Sequence, residues 1–358
     1  MGREGGRHVN YAIDSDIDEI LDRLGDDGKA FEDASVVGSG FAGFLGRYFV
    51  EIFKRLGAAH IVVLDNMITA GPMSESLKND PAVRFIETDV STLPNPDILT
   101  FGELGGVSHV IHAAALTSPF YYHKYPLETL DASIAGTRNM LALAKEKGGR
   151  FLLTSTSEMY GDPLVVPTPE TYRGNVAVDG MRSPYDEGKR VAETIAYIYH
   201  VHFDVPAVTV RIFNAYGPGM DERDYRCMPN FAARLKAGKP LQVYATGKQT
   251  RTFSYVTDIV VGCLQALARG KSGEAYNIGN PAPEISILEL AKMMIRMSPK
   301  GGAVEIVPHP DSYPGDEPQR RCPDIAKAQR DFGFNPIVPL GEGLRRFLGW
   351  AMVEYKGE

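Results

Sequence analysis

Cysteine is scarce in this 358-residue chain: Cys227, Cys263 and Cys322 only, with no C-x-x-C spacing. That count excludes a disulfide framework and a structural zinc site, and it fits scattered core and surface thiols in a reducing compartment. Positive charge is also short. The 38 Lys and Arg against 45 Asp and Glu leave a net charge of -7, which argues against nucleic acid or anionic membrane as partners. A local basic pocket for phosphates remains compatible with it. No apolar run is long enough to cross a bilayer, and the start Met1-Gly-Arg-Glu-Gly-Gly-Arg-His8 lacks the apolar core of a signal peptide. Internal repeats and low-complexity tracts are missing too. A cytoplasmic protein of one or two domains is expected.

What the chain does have is a strand–helix rhythm. Residues 1–33 read as an acidic N-terminal extension in which Ile17, Ile20, Leu21 and Leu24 share one helical face, with Asp14 or Ser15 as N-cap and Gly25 as the stop. This helix is expected on the outside of the domain or against a partner subunit. From Ala34 strands are predicted at Ser35–Val37, His60–Leu64, Val83–Ile86, Ser108–Ala115, Arg150–Thr154 and Ala207–Phe213. Helices are predicted over Gly43–Phe53, Pro126–Lys147 and from Tyr185 onward. Alternation of this kind predicts an α/β fold, a doubly wound (Rossmann) parallel sheet covered on both faces. Beyond Asn214 the rhythm loosens around Gly217-Pro-Gly219, Gly238-Lys-Pro240 and Gly279-Asn-Pro281. The division expected is a dinucleotide-binding domain over 34–213, rejoined by 251–280, with 214–250 and 281–358 as a smaller substrate-binding lobe.

Ser39-Gly40-Phe-Ala-Gly43-Phe-Leu-Gly46 lies between the first strand and first helix. A glycine-rich turn there lets backbone amides and a helix N-terminus meet a pyrophosphate. Asp65, ending the next strand, would accept hydrogen bonds from an adenosine ribose and repel a 2′-phosphate, so NAD is favoured over NADP. Asp89 either reaches the adenine or is a plain loop aspartate. The expected cofactor contacts are Gly40, Phe41, Ala42, Gly43, Phe44, Leu45, Gly46, Asp65, Asn66, Asp89, Val90, Ala114, Tyr185 and Lys189. Tyr185 and Lys189, four apart at a helix start, share one face, and an ammonium beside a phenol lowers its pKa toward a usable base. Tyr244 and Lys248 have the same spacing, so the pair alone is unspecific. Thr156, in Thr154-Ser-Thr-Ser-Glu-Met-Tyr-Gly161 after a central strand, is placed to bond a substrate oxygen beside Tyr185, with Glu158 free to move a different proton.

Together these residues resemble the extended short-chain dehydrogenase/reductase family, in its nucleotide-sugar branch. Ser118-Pro-x-x-Tyr122-x-x-x-Pro126, Ser155-Thr-Ser-Glu-x-Tyr-Gly-Asp-Pro163, Gly174-Asn-Val176, Tyr185-Asp-Glu-Gly-Lys-Arg190, Arg211-Ile-Phe-Asn214, Gln249-Thr-Arg251-x-Phe253, Asn277-Ile-Gly-Asn-Pro281 and Pro323-Asp-Ile325 resemble the UDP-glucuronate decarboxylase family. The resemblance implies an enzyme in which Thr156, Tyr185 and Lys189 support oxidation at the sugar C4 by bound NAD. It implies that Ser157, Glu158 and Arg321 act near a sugar carboxylate, that Asn214 and Arg251 hold a nucleotide diphosphate, and that Tyr122 lies near the sugar. Tyr244 joins the expected substrate contacts. Surface salt bridges are the competing reading of Arg251 and Arg321. The chain departs from the family pattern at Arg173, Val178, Pro184 and Gly219, the last removing a cation, and in the insertion-like Pro310-Asp-Ser-Tyr-Pro-Gly-Asp316.

The implied reaction is decarboxylation of an NDP-hexuronate to an NDP-pentose. A 4-epimerase, a 4,6-dehydratase and a non-catalytic NAD-binding module are the alternatives. Ile134, Met140, Leu143, Ile195 and Tyr199 extend the apolar surface of two helices beyond one face. With the resemblance, they lead us to expect a homodimer closed by a four-helix interface.

Overall fold

A computed structural model describes residues 13–71, 73, 75–92, 106–309 and 317–357. The insertion-like Pro310–Asp316 lies outside the described residues. Six strands, β1 (Ser35–Ser39), β2 (His60–Asp65), β3 (Val83–Glu87), β4 (His109–His112), β5 (Arg150–Thr156) and β6 (Ala207–Ile212), enter one sheet with Ala275–Ile278 as the seventh. All pairings in it are parallel, in the order Ala275–Ile278, β6, β5, β4, β1, β2, β3. The chain winds outward from β1 to β3, then returns past β1 to β4, β5 and β6. The switch point between β1 and β4 is where a doubly wound sheet opens a crevice at its carboxyl edge.

Successive side chains of a strand point to opposite faces, and here both faces are apolar. Val36, Ile61, Val63, Ile111, Leu152, Val208 and Val210 enter one core, with α1 (Asp14–Leu24), α2 (Phe44–Arg55) and the helix Val256–Arg269. Val37, Val62, Leu64, Val110, Phe151 and Leu153 enter the other. After the short α3 (Glu75–Lys78) and α4 (Pro119–Lys124), the second core is covered by α5 (Pro126–Lys147) and α6 (Ser183–Phe203). Both long helices start with proline in their first turn and stop at a left-handed residue, Gly148 (φ 77°) or Asp204 (φ 55°).

The predicted elements are present with shifted ends. The fourth strand is shorter than Ser108–Ala115, because the backbone leaves the sheet after His112 to form the crevice wall. The fifth runs two residues further, so that Thr156 is the last residue of the strand. The apolar surplus on α5 and α6 needs correction. Met140, Leu143 and Ile195 are 0%, 1% and 9% exposed, buried in the chain's own second core, with Ile134 and Tyr199 packed against it.

Helix α1 is anchored more firmly than its acidic composition suggested. Ile17, Ile20 and Leu24 are buried in the first core. Asp16, fully buried, accepts a 2.6 Å bond from Tyr255 and a 3.1 Å bond from Arg346, while Arg23 pairs with buried Asp258 at 2.9 Å. Gly25, at φ 47°, ends the helix as predicted. Truncating Ile20 to alanine should therefore cost about 2–5 kcal/mol of unfolding free energy, the range for a buried large-to-small change. Urea denaturation measures it, and a loss below about 1 kcal/mol would remove α1 from the core.

Candidate active site

A cavity of about 730 Å³ follows the carboxyl ends of β1, β2, β4, β5 and β6 and continues under the segment 217–231. Its dinucleotide end is built by close backbone approach. Gly40 has φ 72°, and a Cβ there would stand 2.5 Å from the Ala114 nitrogen; at Gly46 a Cβ would stand 2.3 Å from the Phe41 Cα. Helix α2 begins at this turn with no side-chain cap on Gly43, leaving its first amides for an anion. The Asp65 carboxylate accepts from the Ala42 amide at 3.1 Å and the Met67 amide at 2.9 Å, which fixes it across the crevice mouth. Asp89 caps Ser91 at 2.7 and 2.8 Å and faces Asn66 at 3.5 Å. The turn, the uncapped helix and the carboxylate fit a dinucleotide. Of the expected contacts Phe41 is the exception: its ring turns into the core, 5.8 Å from Phe49, because it fills the space beneath Gly38.

Beyond the crevice, Tyr185 and Lys189 both face inward from α6, 5% and 2% exposed. Thr156 hydrogen-bonds Tyr185, and its hydroxyl also accepts from the Glu158 amide at 3.2 Å. Burial raises the Tyr185 phenol above the usual tyrosine range; the Thr156 bond opposes this, and the nearby charges are Glu158, Arg226 and Asp186. The expected lysine-lowered phenol is therefore corrected. Lys189 donates to the Thr154 carbonyl at 2.9 Å, and burial pulls its own value down to about 8. Tyr122 stacks on Tyr185 with centroids 5.7 Å apart and planes 10° apart.

The third part of the site is a cluster of charge. Arg321 grips Glu158 with both terminal nitrogens, at 2.5 and 2.6 Å, and Arg182 bonds the same carboxylate. Although burial opposes ionisation, the arginines win and hold Glu158 down to about 2. It is a permanent carboxylate at neutral pH, not the mobile proton carrier expected from sequence. Arg251 is 4% exposed and pairs with Glu317 at 2.5 Å, so neither Arg251 nor Arg321 is a surface salt bridge. Asn214 lines the cavity and donates to the Thr252 carbonyl at 2.7 Å. Ser157, Val90, Ala114 and Tyr244 also line it, Tyr244 beside His309.

Sequence reasoning missed Arg182, Asp186, Arg226 and Glu317. Arg182 and Asp186 flank Tyr185 by three residues and one, within a stretch read only for its Tyr and Lys. The cation lacking at Gly219 is offset nearby by Arg226, held by Asp224 at 2.5 and 3.0 Å and acting on Tyr185. Away from the cavity, Arg211 pairs with Glu193 at 2.7 Å and donates to Tyr160, which donates to Asn277 at 2.8 Å. That network braces the turn carrying Ser157 and Glu158.

Residues 37–279, more than half of the chain, match the model of the NAD dependent epimerase/dehydratase family. The chain is 42% identical over 312 residues to UDP-glucuronic acid decarboxylase 4 of Arabidopsis thaliana, covering 86% of this chain but only 66% of that protein. It is also 42% identical over 312 residues to UDP-glucuronic acid decarboxylase 3 of the same plant, covering 86% of this chain and 85% of the relative. Among solved structures, a dTDP-glucose 4,6-dehydratase of Streptomyces venezuelae with NAD bound superposes with a TM-score of 0.77 at 26% identity. That match covers 88% of this chain and 96% of the other.

Two outcomes test the site. Gly46→Ala forces a Cβ against backbone atoms at 2.3 and 2.4 Å, and should lower NAD affinity about tenfold or more, read by fluorescence titration. Glu158→Gln leaves two buried guanidinium groups short of a counter-charge, at a cost of about 3–5 kcal/mol at pH 7. Because the folded Glu158 value is depressed, its contribution is complete above the ordinary glutamate range and is lost as pH falls toward 2. Acid unfolding followed from pH 7 to pH 2 should show the gap between the wild type and this variant narrowing as pH falls.

Proposed function

Proceeding from the premise that this chain is an enzyme belonging to the NAD dependent epimerase/dehydratase family, we propose that it oxidises C4 of an NDP-hexuronate and decarboxylates it to an NDP-pentose. The observation that carries the reading is the joining of Tyr185 and Thr156 to the Arg182–Glu158–Arg321 cluster in one cavity. A redox centre alone serves any sugar alcohol. A guanidinium cluster beside it suits a substrate with a carboxylate.

NAD, once bound, would supply a hydride acceptor. The turn Gly40–Gly46 and Asp65 would hold it, with Lys189 lining the same cavity. Tyr185 takes the proton of the sugar's 4-hydroxyl, and Thr156 keeps the phenol oxygen in place. The 4-keto group that results is β to the carboxylate, so carbon dioxide leaves with its bonding electrons spread onto the ketone oxygen. Thr156 and Tyr185 face that oxygen and stabilise its charge, which is the electrostatic contribution that usually dominates. Arg321 and Arg182 orient the carboxylate, while Glu158 holds the two guanidinium groups apart at fixed geometry. Arg251 takes the diphosphate as Glu317 gives way. A proton from solvent takes the place of the carboxylate at C5; hydride then goes back to C4 as Tyr185 gives its proton back to the 4-oxygen, which completes the pentose.

A 4-epimerase or 4,6-dehydratase would share the first step, but neither needs two buried arginines at the sugar. A homodimer in the cytoplasm is part of the proposal. Leu127, Val191, Ile198 and Val201 are 70%, 37%, 40% and 48% exposed on α5 and α6, an apolar strip that a second copy would cover.

Incubation with UDP-glucuronate and mass measurement of the product tests the reaction: the mass should fall by one carbon dioxide. Loss of water or an unchanged mass would select a dehydratase or an epimerase. Tyr185→Phe should lower turnover by about 10²–10⁴-fold with NAD still bound. Full turnover in that variant would remove the phenol from the chemistry.

A further inference from the structure

One carboxyl of the charged cluster is used by neither the dinucleotide crevice nor the substrate cavity. Asp186 follows Tyr185 on α6, is 4% exposed, and lies behind the cavity wall. Its Oδ2 accepts one long bond, 3.4 Å, from Arg182 Nε, and its Oδ1 is buried with no hydrogen-bond partner. Buried carboxylates ordinarily have their oxygens satisfied, and an anion left this poorly solvated is costly. The charged and titratable groups facing it are Arg182 and Tyr185 on its own helix, Glu158 after β5, Arg321 near the C-terminus, and Tyr122 on α4.

The charge count explains such a residue. Arg182, Arg321 and Glu158 together carry one net positive charge. An ionised Asp186 brings the cluster to zero, and a neutral one leaves the surplus. We infer that Asp186 is a proton-linked positioning residue: ionised, it draws on Arg182 and cancels the surplus charge; protonated, it leaves that charge to the carboxylate of an acidic sugar. The inference rests on the hexuronate reading given above. Burial and the neighbouring Glu158 push Asp186 up to about 7, where both forms are populated. A ligand carboxylate is a further negative charge beside it and raises it again, so binding takes up a proton. Affinity for an acidic sugar then falls as pH rises above 7, and affinity for a neutral sugar does not.

Calorimetric titration of the NAD-loaded Tyr185→Phe enzyme, which binds without turnover, tests this at pH 7.5 in phosphate and in Tris. UDP-glucuronate should bind with uptake of roughly 0.3–0.8 proton and UDP-glucose with almost none. Adding Asp186→Asn, the shape of the neutral acid, should abolish the uptake. In the otherwise wild-type enzyme, the KM for UDP-glucuronate should rise several-fold from pH 6.5 to 8.5, and Asp186→Asn should flatten that rise. Equal uptake for the two ligands, or unchanged uptake with Asp186→Asn, overturns the inference. The first of these needs no Asp186 variant to fold. Carbon dioxide release from UDP-glucuronate separates the failures: if it persists while uptake is unaffected by Asp186→Asn, only the role of Asp186 is lost; if it is lacking, the functional reading fails as well.

Discussion

The pairing of Arg321 with Glu158 is the contact on which the site depends. It joins residues 163 apart in the chain, one on the turn after a central strand and one in the short strand Arg320–Arg321, by two parallel bonds of 2.5 and 2.6 Å. A planar guanidinium and a carboxylate match in just this way, which lysine cannot reproduce. The pair carries the C-terminal segment to the carboxyl edge of the sheet. It also fixes where Arg182, the second partner of the same carboxylate, must stand.

Charge balance follows from that contact. Three nearly buried arginines, 182, 251 and 321, face one cavity, and each has a carboxyl from the chain itself: Asp186 and Glu158, Glu317, and Glu158 again. Unpaired, such groups would not stay ionised and buried. An anionic ligand therefore enters this cavity by exchange, taking a guanidinium from a resident carboxylate. The free energy of binding is a difference between two ion pairs, and it depends on how readily each resident lets go. Glu158, gripped three times, is the immovable member. Asp186 accepts only a long bond, 3.4 Å, from Arg182.

Local physics was legible in the sequence, and partner choice was not. The turn Gly40–Gly46 and Asp65 could be read because their geometry is set within about 30 residues, by a strand, a tight turn and a helix. The face shared by Tyr185 and Lys189 follows from helical periodicity alone. Which group touches the phenol does not. The Thr154 carbonyl, one residue past the last β4 pairing of β5, captures the lysine, and Thr156 reaches the phenol instead. Likewise the aliphatic surplus of α5 and α6 reads as an interface until the sheet is in place. Then Met140, Leu143 and Ile195 prove to be the layer that covers it. Phe41 shows the same limit within a motif, since its neighbours bind through backbone while its ring belongs to the core.

The energetic consequence is a division of labour along the crevice. At its dinucleotide end the chain offers backbone, glycine and the Asp65 carboxylate, which two backbone amides hold in place. At the sugar end it offers side chains whose charge is shared and, for Asp186 and Lys189, whose pKa values of about 7 and about 8 lie near neutral pH. On the proposed reaction, a substrate that arrives charged and leaves with one carboxylate fewer is better met by groups that can adjust by a proton. The burial that makes those groups adjustable also raises Tyr185. The same low-dielectric pocket thus keeps the phenol protonated at neutral pH, so that its conjugate base is strong but scarce.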